Sequence, residues 1–252
     1  MVTTGGQATS ATLLETDSAM IKAFIFDMDG LLVETESIHI AAFERFMRER
    51  GISFPDGYVR SFVGFSIRHN VERMKREMGL EGEVEALARE RNNLYLRMLS
   101  AEPIAPLPGV AEAFRFAQSH ALKKAVCSTS VREQLDVVLP RLLTGLGIAA
   151  PAYEWFDGTI SGSDVTVPKP APDIYLECAR RLQLEPAECL AFEDSMAGAK
   201  SATAAGMPLV VVPNEFSPRD AAWPTRYVFG SLESVFRDGL LAVTGDGVRI
   251  TA

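Results

Sequence analysis

The sequence predicts an α/β protein, a doubly wound (Rossmann-like) parallel sheet core with an inserted all-helical cap domain. Three observations predict it. Short, β-rich apolar runs recur and end in polar residues, amphipathic helical patterns separate those runs, and one long stretch after the first run is helical throughout.

Taken in order, residues 1–20 (MVTTGGQATSATLLETDSAM) carry no basic residue and no long apolar stretch. They do not read as a signal peptide and are expected to form a flexible leader. Ile21 to Phe26, apolar apart from Lys22, reads as a strand buried on both faces, as in a parallel sheet. It ends in Asp27 and Asp29, with Gly30 directly after. From Glu36 to Pro103 only helical signals follow. Ile40, Phe43 and Met47 share one face, and Val71, Met74 and Met78 another. Val84, Leu87, Leu94 and Met98 make a third stripe, interrupted by Arg91. Residues 36–103 are therefore expected to be the cap, and 21–35 with 104–252 the core. The proline-rich stretch AEPIAPLPGV returns the chain to the sheet.

Val110, Phe114, Ala117 and Ala121 fit the face of the next helix, and Ile174, Cys178 and Leu182 that of a later one. The remaining strands are expected in KKAVCSTS (Lys123–Ser130), CLAFEDS (Cys189–Ser195) and PLVVVPN (Pro208–Asn214). Ligands of open α/β sheets bind at the carboxyl ends of the strands. A cap leaving the chain beside the first strand would cover that edge, exclude water and select substrates.

Bulk properties narrow the function. The chain has 252 residues, of which 47% are hydrophobic and 23% charged, and its net charge of -8 argues against nucleic acid or an anionic membrane as the main partner. Three cysteines without a CxxC pair suit a reduced, cytoplasmic setting, and no apolar run reaches transmembrane length. A monomer is the expected state.

The polar strand ends suggest phosphoryl transfer. Asp27 and Asp29 follow the first strand, Ser128, Thr129 and Ser130 the second, and Glu193 and Asp194 the third, while Lys169 sits between two prolines in VPKPAPDIY. Clustered carboxylates repel one another unless a hard cation such as Mg2+ sits among them. One carboxylate can then attack phosphorus, and a second can move the protons. A hydroxyl and a lysine can bind the transferring phosphoryl oxygens.

In order, DMDG, AVCSTS, KPAPDIY and FEDS resemble the four motifs of the haloacid dehalogenase superfamily, and the helical insert is similar to the C1 cap of its phosphatase and β-phosphoglucomutase-like branch. A narrower resemblance is to the CbbY-like branch. The resemblance implies that Asp27 is the nucleophile and a Mg2+ ligand, and that Asp29 is the general acid/base and binds Mg2+ through its carbonyl. It implies that Ser128, with Thr129, binds the phosphoryl group, that Lys169 neutralises charge, and that Asp194 and Glu193 complete the metal site.

The substrate implied is a small phosphorylated metabolite, a sugar or polyol monophosphate, hydrolysed through an aspartyl phosphate. A hexose-phosphate mutase and a sugar-bisphosphate phosphatase are the alternatives. The mutase cap loop is only half matched by VGFSIRHN: Gly64 is present, but the arginine position holds Ile67, and Arg68 follows one residue later. Gly64, Arg68 and His39 are the cap-side candidates for substrate contact. A lone helical histidine is more often structural, Ser130 is expected to cap the following helix, and Pro172 and Asp173 to start another.

Overall fold

The computed structural model describes residues 20–62, 65–218, 222–245 and 247–251. Residues 1–19 of the expected leader, and Gly64, lie outside them. Five parallel strands form the main sheet in the order β3-β2-β1-β4-β5. They are β1 (Ala23–Phe26), β2 (Lys123–Cys127), β3 (Gly158–Ile160), β4 (Cys189–Glu193) and β5 (Leu209–Val211). The three-residue β3 was not expected from the sequence, because its run is too short to show a period. A C-terminal antiparallel pair, β6 (Leu241–Thr244) and β7 (Gly247–Ile250), was likewise not expected.

Alternation along β1 divides the interior in two. Phe24 and Phe26 point into one cluster with Phe114 and Phe192, where their rings meet edge-to-face or stacked at 5.0–6.1 Å. Ala23 and Ile25 point into the other, with Ala125, Cys127 and Ala191. The first face receives α4 (Val110–Ser119), α5 (Arg132–Gly145) and α9 (Leu232–Arg237). The second receives α7 (Asp173–Leu182) and α8 (Met196–Ala204), whose alanines allow close approach to the sheet. A short α6 (Ala152–Trp155) precedes β3.

Between β1 and α4 lie α1 (Glu36–Arg48), α2 (Ile67–Met78) and α3 (Val84–Ala101), with a 3-10 turn at Val59–Phe62. Their buried faces match the sequence stripes: Phe43 and Met47 on α1, Val71 and Met74 on α2, Leu87 and Leu94 on α3. Arg91, which interrupts the third stripe, is nonetheless fully buried. Ala121, placed on the α4 face by periodicity, lies past the helix end at φ 53°. Pro172 and Asp173 do start α7. Among the described residues, no helix is long and apolar enough to cross a membrane.

Candidate active site

Parallel register builds the site. Phe26 pairs with Val126 on one side and with Phe192 on the other. The residues that follow therefore leave the sheet side by side, on strands about 4.8 Å apart. The Asp27 amide donates to the Phe192 carbonyl at 3.0 Å, carrying the ladder one residue further.

Lys169 enters from the segment between β3 and α7. Its ammonium donates to Asp27 Oδ1 at 2.6 Å, to Glu193 Oε1 at 2.6 Å and to the Cys127 carbonyl at 2.9 Å. All three of its donors are thereby used. Glu193 Oε1 also accepts from the Tyr175 hydroxyl at 2.6 Å, and Oε2 from Ser195 Oγ at 3.1 Å. Glu193 thus anchors Lys169 from behind. On α8, a Cβ at Gly198 would fall 1.9 Å from Glu193 Oε1, so only glycine leaves room for this carboxylate.

Asp194 is held by Asn214, whose Nδ2 donates to its Oδ2 at 2.7 Å and to the Gly30 carbonyl at 3.1 Å. Gly30 turns the chain at φ 83°, and a Cβ there would sit 2.4 Å from both Asn214 Nδ2 and Asp194 Oδ2.

Asp29 has a different environment. Thr35 Oγ1 donates to its Oδ1 at 2.5 Å, and Ser130 Oγ and Ser128 Oγ donate to its Oδ2 at 2.8 and 3.1 Å. His39 Nε2 stands 3.7 Å from Oδ1. Burial acts to raise its pKa, but His39 and the hydroxyls outweigh burial and hold the carboxyl down at about 2. Asp27 moves the other way. Burial raises it, Lys169 opposes, and the Glu193 and Asp29 charges raise it further, so the net displacement is upward.

His39 is itself fixed. Its ring stacks on Tyr95 at 3.8 Å, and Arg91 Nη2 lies 2.9 Å from Nδ1 and donates to the His39 carbonyl at 2.7 Å. A guanidinium only donates, so Nδ1 is the acceptor and the ring proton sits on Nε2, toward Asp29. Burial first, then the Arg91 charge, lowers the imidazole pKa. Arg91 lies over the Phe43 ring at 3.7 Å, and burial lowers its own pKa to about 9.

The donor set fits a hard divalent cation. One oxygen from each of Asp27, Glu193 and Asp194 can be chosen so that all lie within 4.8 Å of one another, and all three residues are buried. Among the described residues, Lys169 is the one cation that pairs with them, through Asp27 and Glu193. Burial, then repulsion from Asp27 and Glu193, pushes the Asp194 pKa well up, which marks an excess of negative charge that such an ion would offset.

The structure brings together Asp27, Asp29, Ser128, Lys169, Glu193, Asp194 and His39. Thr129 and Ser130 also line the cavity at the aspartates. Two expectations are corrected. Ser130 does not cap α5, whose N-cap is Val131; its hydroxyl goes to Asp29. Arg68 does not line the cavity: it is exposed and paired with Glu72 and Glu85, because one step along a helix from Ile67 turns a side chain by about 100°. Sequence reasoning missed Tyr175, Arg91, Glu36, Asn70 and Asn214. Asn214 ends the fourth predicted strand, and that position was the available signal. The others sit on helices, where no local pattern separates them from surface or core residues.

Comparison with known proteins agrees with this geometry. A family model described as haloacid dehalogenase-like hydrolase matches residues 21–206. The protein CbbY of Rhodobacter capsulatus is 32% identical over 206 residues, covering 79% of this chain and 88% of that protein. A phosphorylated carbohydrates phosphatase of Thermotoga maritima is 31% identical over 188 residues, covering 74% and 82%. A crystal structure of a CbbY mutant from Rhodobacter sphaeroides in complex with xylulose-(1,5)bisphosphate superimposes with a TM-score of 0.74 at 25% identity, covering 86% of this chain and 96% of that one. The sheet order, the acidic strand ends and these matches together place the chain in the haloacid dehalogenase-like hydrolase family.

Proposed function

We propose that this phosphatase, a phosphoric monoester hydrolase of small phosphorylated metabolites, acts on a sugar or polyol monophosphate, with Mg2+ as its metal and Asp27 as its nucleophile. The observation that carries the reading is the Lys169 ammonium bridging Asp27 and Glu193, with Asp194 grouped beside those carboxylates and Asp29 two residues after Asp27.

Lys169 fixes the Asp27 carboxylate and faces the charge of an incoming phosphoryl group. Asp27 attacks phosphorus, forming an acyl phosphate as the bond to the substrate oxygen breaks. The departing oxygen takes a proton from Asp29. A water then gives a proton to Asp29 and attacks phosphorus, which releases phosphate and restores Asp27. His39 first, then the Thr35 and Ser130 hydroxyls, hold the Asp29 pKa at about 2 and keep it ionised in the resting arrangement. Serving as the acid requires it to leave them and take up a proton. A divalent cation held by Asp27 and Asp194, with the Asp29 carbonyl and Glu193 as further ligands in this reading, would neutralise charge on the phosphoryl oxygens.

Residues 36–103 act as the cap in this reading, with 21–35 and 104–252 as the core. Ile40, Phe43, Val59, Phe62, Ile67 and Asn70 line the cavity from the cap side. A mutase needs a cap cation for a second phosphate, and Arg68 is paired elsewhere, so hydrolysis ranks first.

The test is phosphate release from a panel of sugar, polyol and nucleotide monophosphates with Mg2+, with chelator, and with Asp27→Asn. Release that needs the metal and vanishes in Asp27→Asn is expected. Unchanged release in Asp27→Asn, or isomerised sugar phosphate without free phosphate, would sink the reading.

A further inference from the structure

One buried acceptor in the cavity has no donor, and a carboxylate lining the same cavity makes no hydrogen bond. Asn70 on α2 is 1% exposed. Its Nδ2 donates to the Phe62 and Phe65 carbonyls at 3.0 and 3.4 Å. Carbonyls only accept, so these bonds fix which end of the amide faces them. Oδ1 is left without a hydrogen-bond partner. Glu36, the first residue of α1, is 7% exposed and lines the same cavity. Among the described residues no hydrogen bond or ion pair reaches its carboxylate. The nearby Arg91 acts on it through its field, while Arg91 Nη2 goes to His39. Buried polar groups nearly always have partners, so the unpartnered Asn70 Oδ1, with an unbonded carboxylate in the same cavity, points to a ligand.

The rest of the cap-side wall says what kind. Ile40, Phe43, Val59, Phe62 and Ile67 are apolar and offer no donor of their own. Phosphate dianion oxygens only accept and cannot satisfy Asn70 Oδ1. Among the described residues lining the cavity, Lys169 is the only lysine or arginine, and it is committed to Asp27 and Glu193. A second phosphate in this cavity would therefore meet Glu36 without a cation.

Resting on the hydrolase reading above, we infer that Glu36 and Asn70 form a hydroxyl-reading subsite, accepting hydrogen bonds from the polyol half of the substrate and selecting polyhydroxylated monoesters. Discrimination of this kind is strong, because a substrate lacking the hydroxyl leaves the buried acceptors unpaired.

The test compares kcat/KM for mannitol 1-phosphate, n-hexyl phosphate and 6-aminohexyl phosphate, which share a six-carbon chain. The wild type should prefer the hexitol ester to the hexyl ester by about tenfold or more. Glu36→Gln, which is isosteric, and Glu36→Leu should each reduce that ratio several-fold, Leu more than Gln. Asn70→Leu, checked for folding by circular dichroism, should reduce it as well. A ratio unchanged within about twofold in all three variants would overturn the inference while leaving the hydrolase reading intact. A preference for the aminohexyl ester over the hexitol ester would overturn it in favour of an ammonium site. No phosphate released from any of the three esters, or from the wider panel, would sink the hydrolase reading and this inference with it.

Discussion

Substituting Gly198 by alanine tests the site from behind. Gly198 lies in α8, and an interior Gly→Ala change ordinarily stabilises a helix by about 1 kcal/mol. Here the new methyl would stand 1.9–2.1 Å from the Glu193 carboxylate atoms. Unbonded heavy atoms prefer about 3.5 Å, so roughly 1.5 Å must be found. Glu193 has little room to yield: it is 0% exposed and tied to Lys169, Tyr175 and Ser195. Overpacking costs about 1–3 kcal/mol, and parting a buried ion pair about 3–5 kcal/mol. Even after the helix-propensity gain, a net loss of about 3 kcal/mol is expected. At about 2–4 °C per kcal/mol for a chain of this size, Tm falls by about 6–12 °C. Phosphate release falls as well, because Lys169 loses its anchor. Thermal denaturation and a phosphate assay on the same preparation read both. A Tm equal to or above that of wild type, with activity unchanged, would refute the reasoning.

Two further outcomes follow from buried and half-buried charge. Arg91→Met should alter stability by no more than about 1 kcal/mol, since two guanidinium nitrogens are buried without partners and an apolar side chain of similar volume replaces them. The same change should lower kcat by freeing His39, and a large fall in Tm with kcat intact would contradict this. Asp164 sits between Arg132 and Arg181. Burial acts to raise its pKa, but the Ser161 hydroxyl and amide and the two arginines hold it well below the usual value. A depressed folded-state pKa gives stability that is present above the unfolded value of about 3.9 and is lost as pH falls toward the folded one. Asp164→Asn should therefore be less stable than wild type at pH 7, with the gap closing below about pH 4. A gap that widens in acid, measured by urea denaturation, would reverse the sign and the argument.

Much of the fold was legible because its signals are local. The runs ending at Asp27 and Asp194 are mostly apolar, and the one before Ser128 becomes so after its two lysines, which marks strands covered on both faces, and their order gives the alternation of an α/β sheet. β3 was lost because three residues carry no period, and the β6–β7 pair because its exposed strand shows none. Arg91 read as an interruption because periodicity cannot tell a buried cation with a partner from a surface one.

By itself the sequence determined which residues follow the strands, Asp27, Asp29, Ser128, Glu193 and Asp194, and set Lys169 between two prolines in a connecting segment, and so which chemical groups can meet at one edge. The tertiary structure decided how they divide the work. Glu193 faces Lys169, Tyr175 and Ser195; Ser130 turns to Asp29 and leaves its helix uncapped; Arg68 points outward to Glu72 and Glu85. It also placed Glu36 in one cavity with the unpartnered Asn70 Oδ1. The reason is physical. Strand and helix identity depend on patterns a few residues long, whereas a side chain's partner depends on contacts such as Lys169–Asp27, which join positions 142 residues apart.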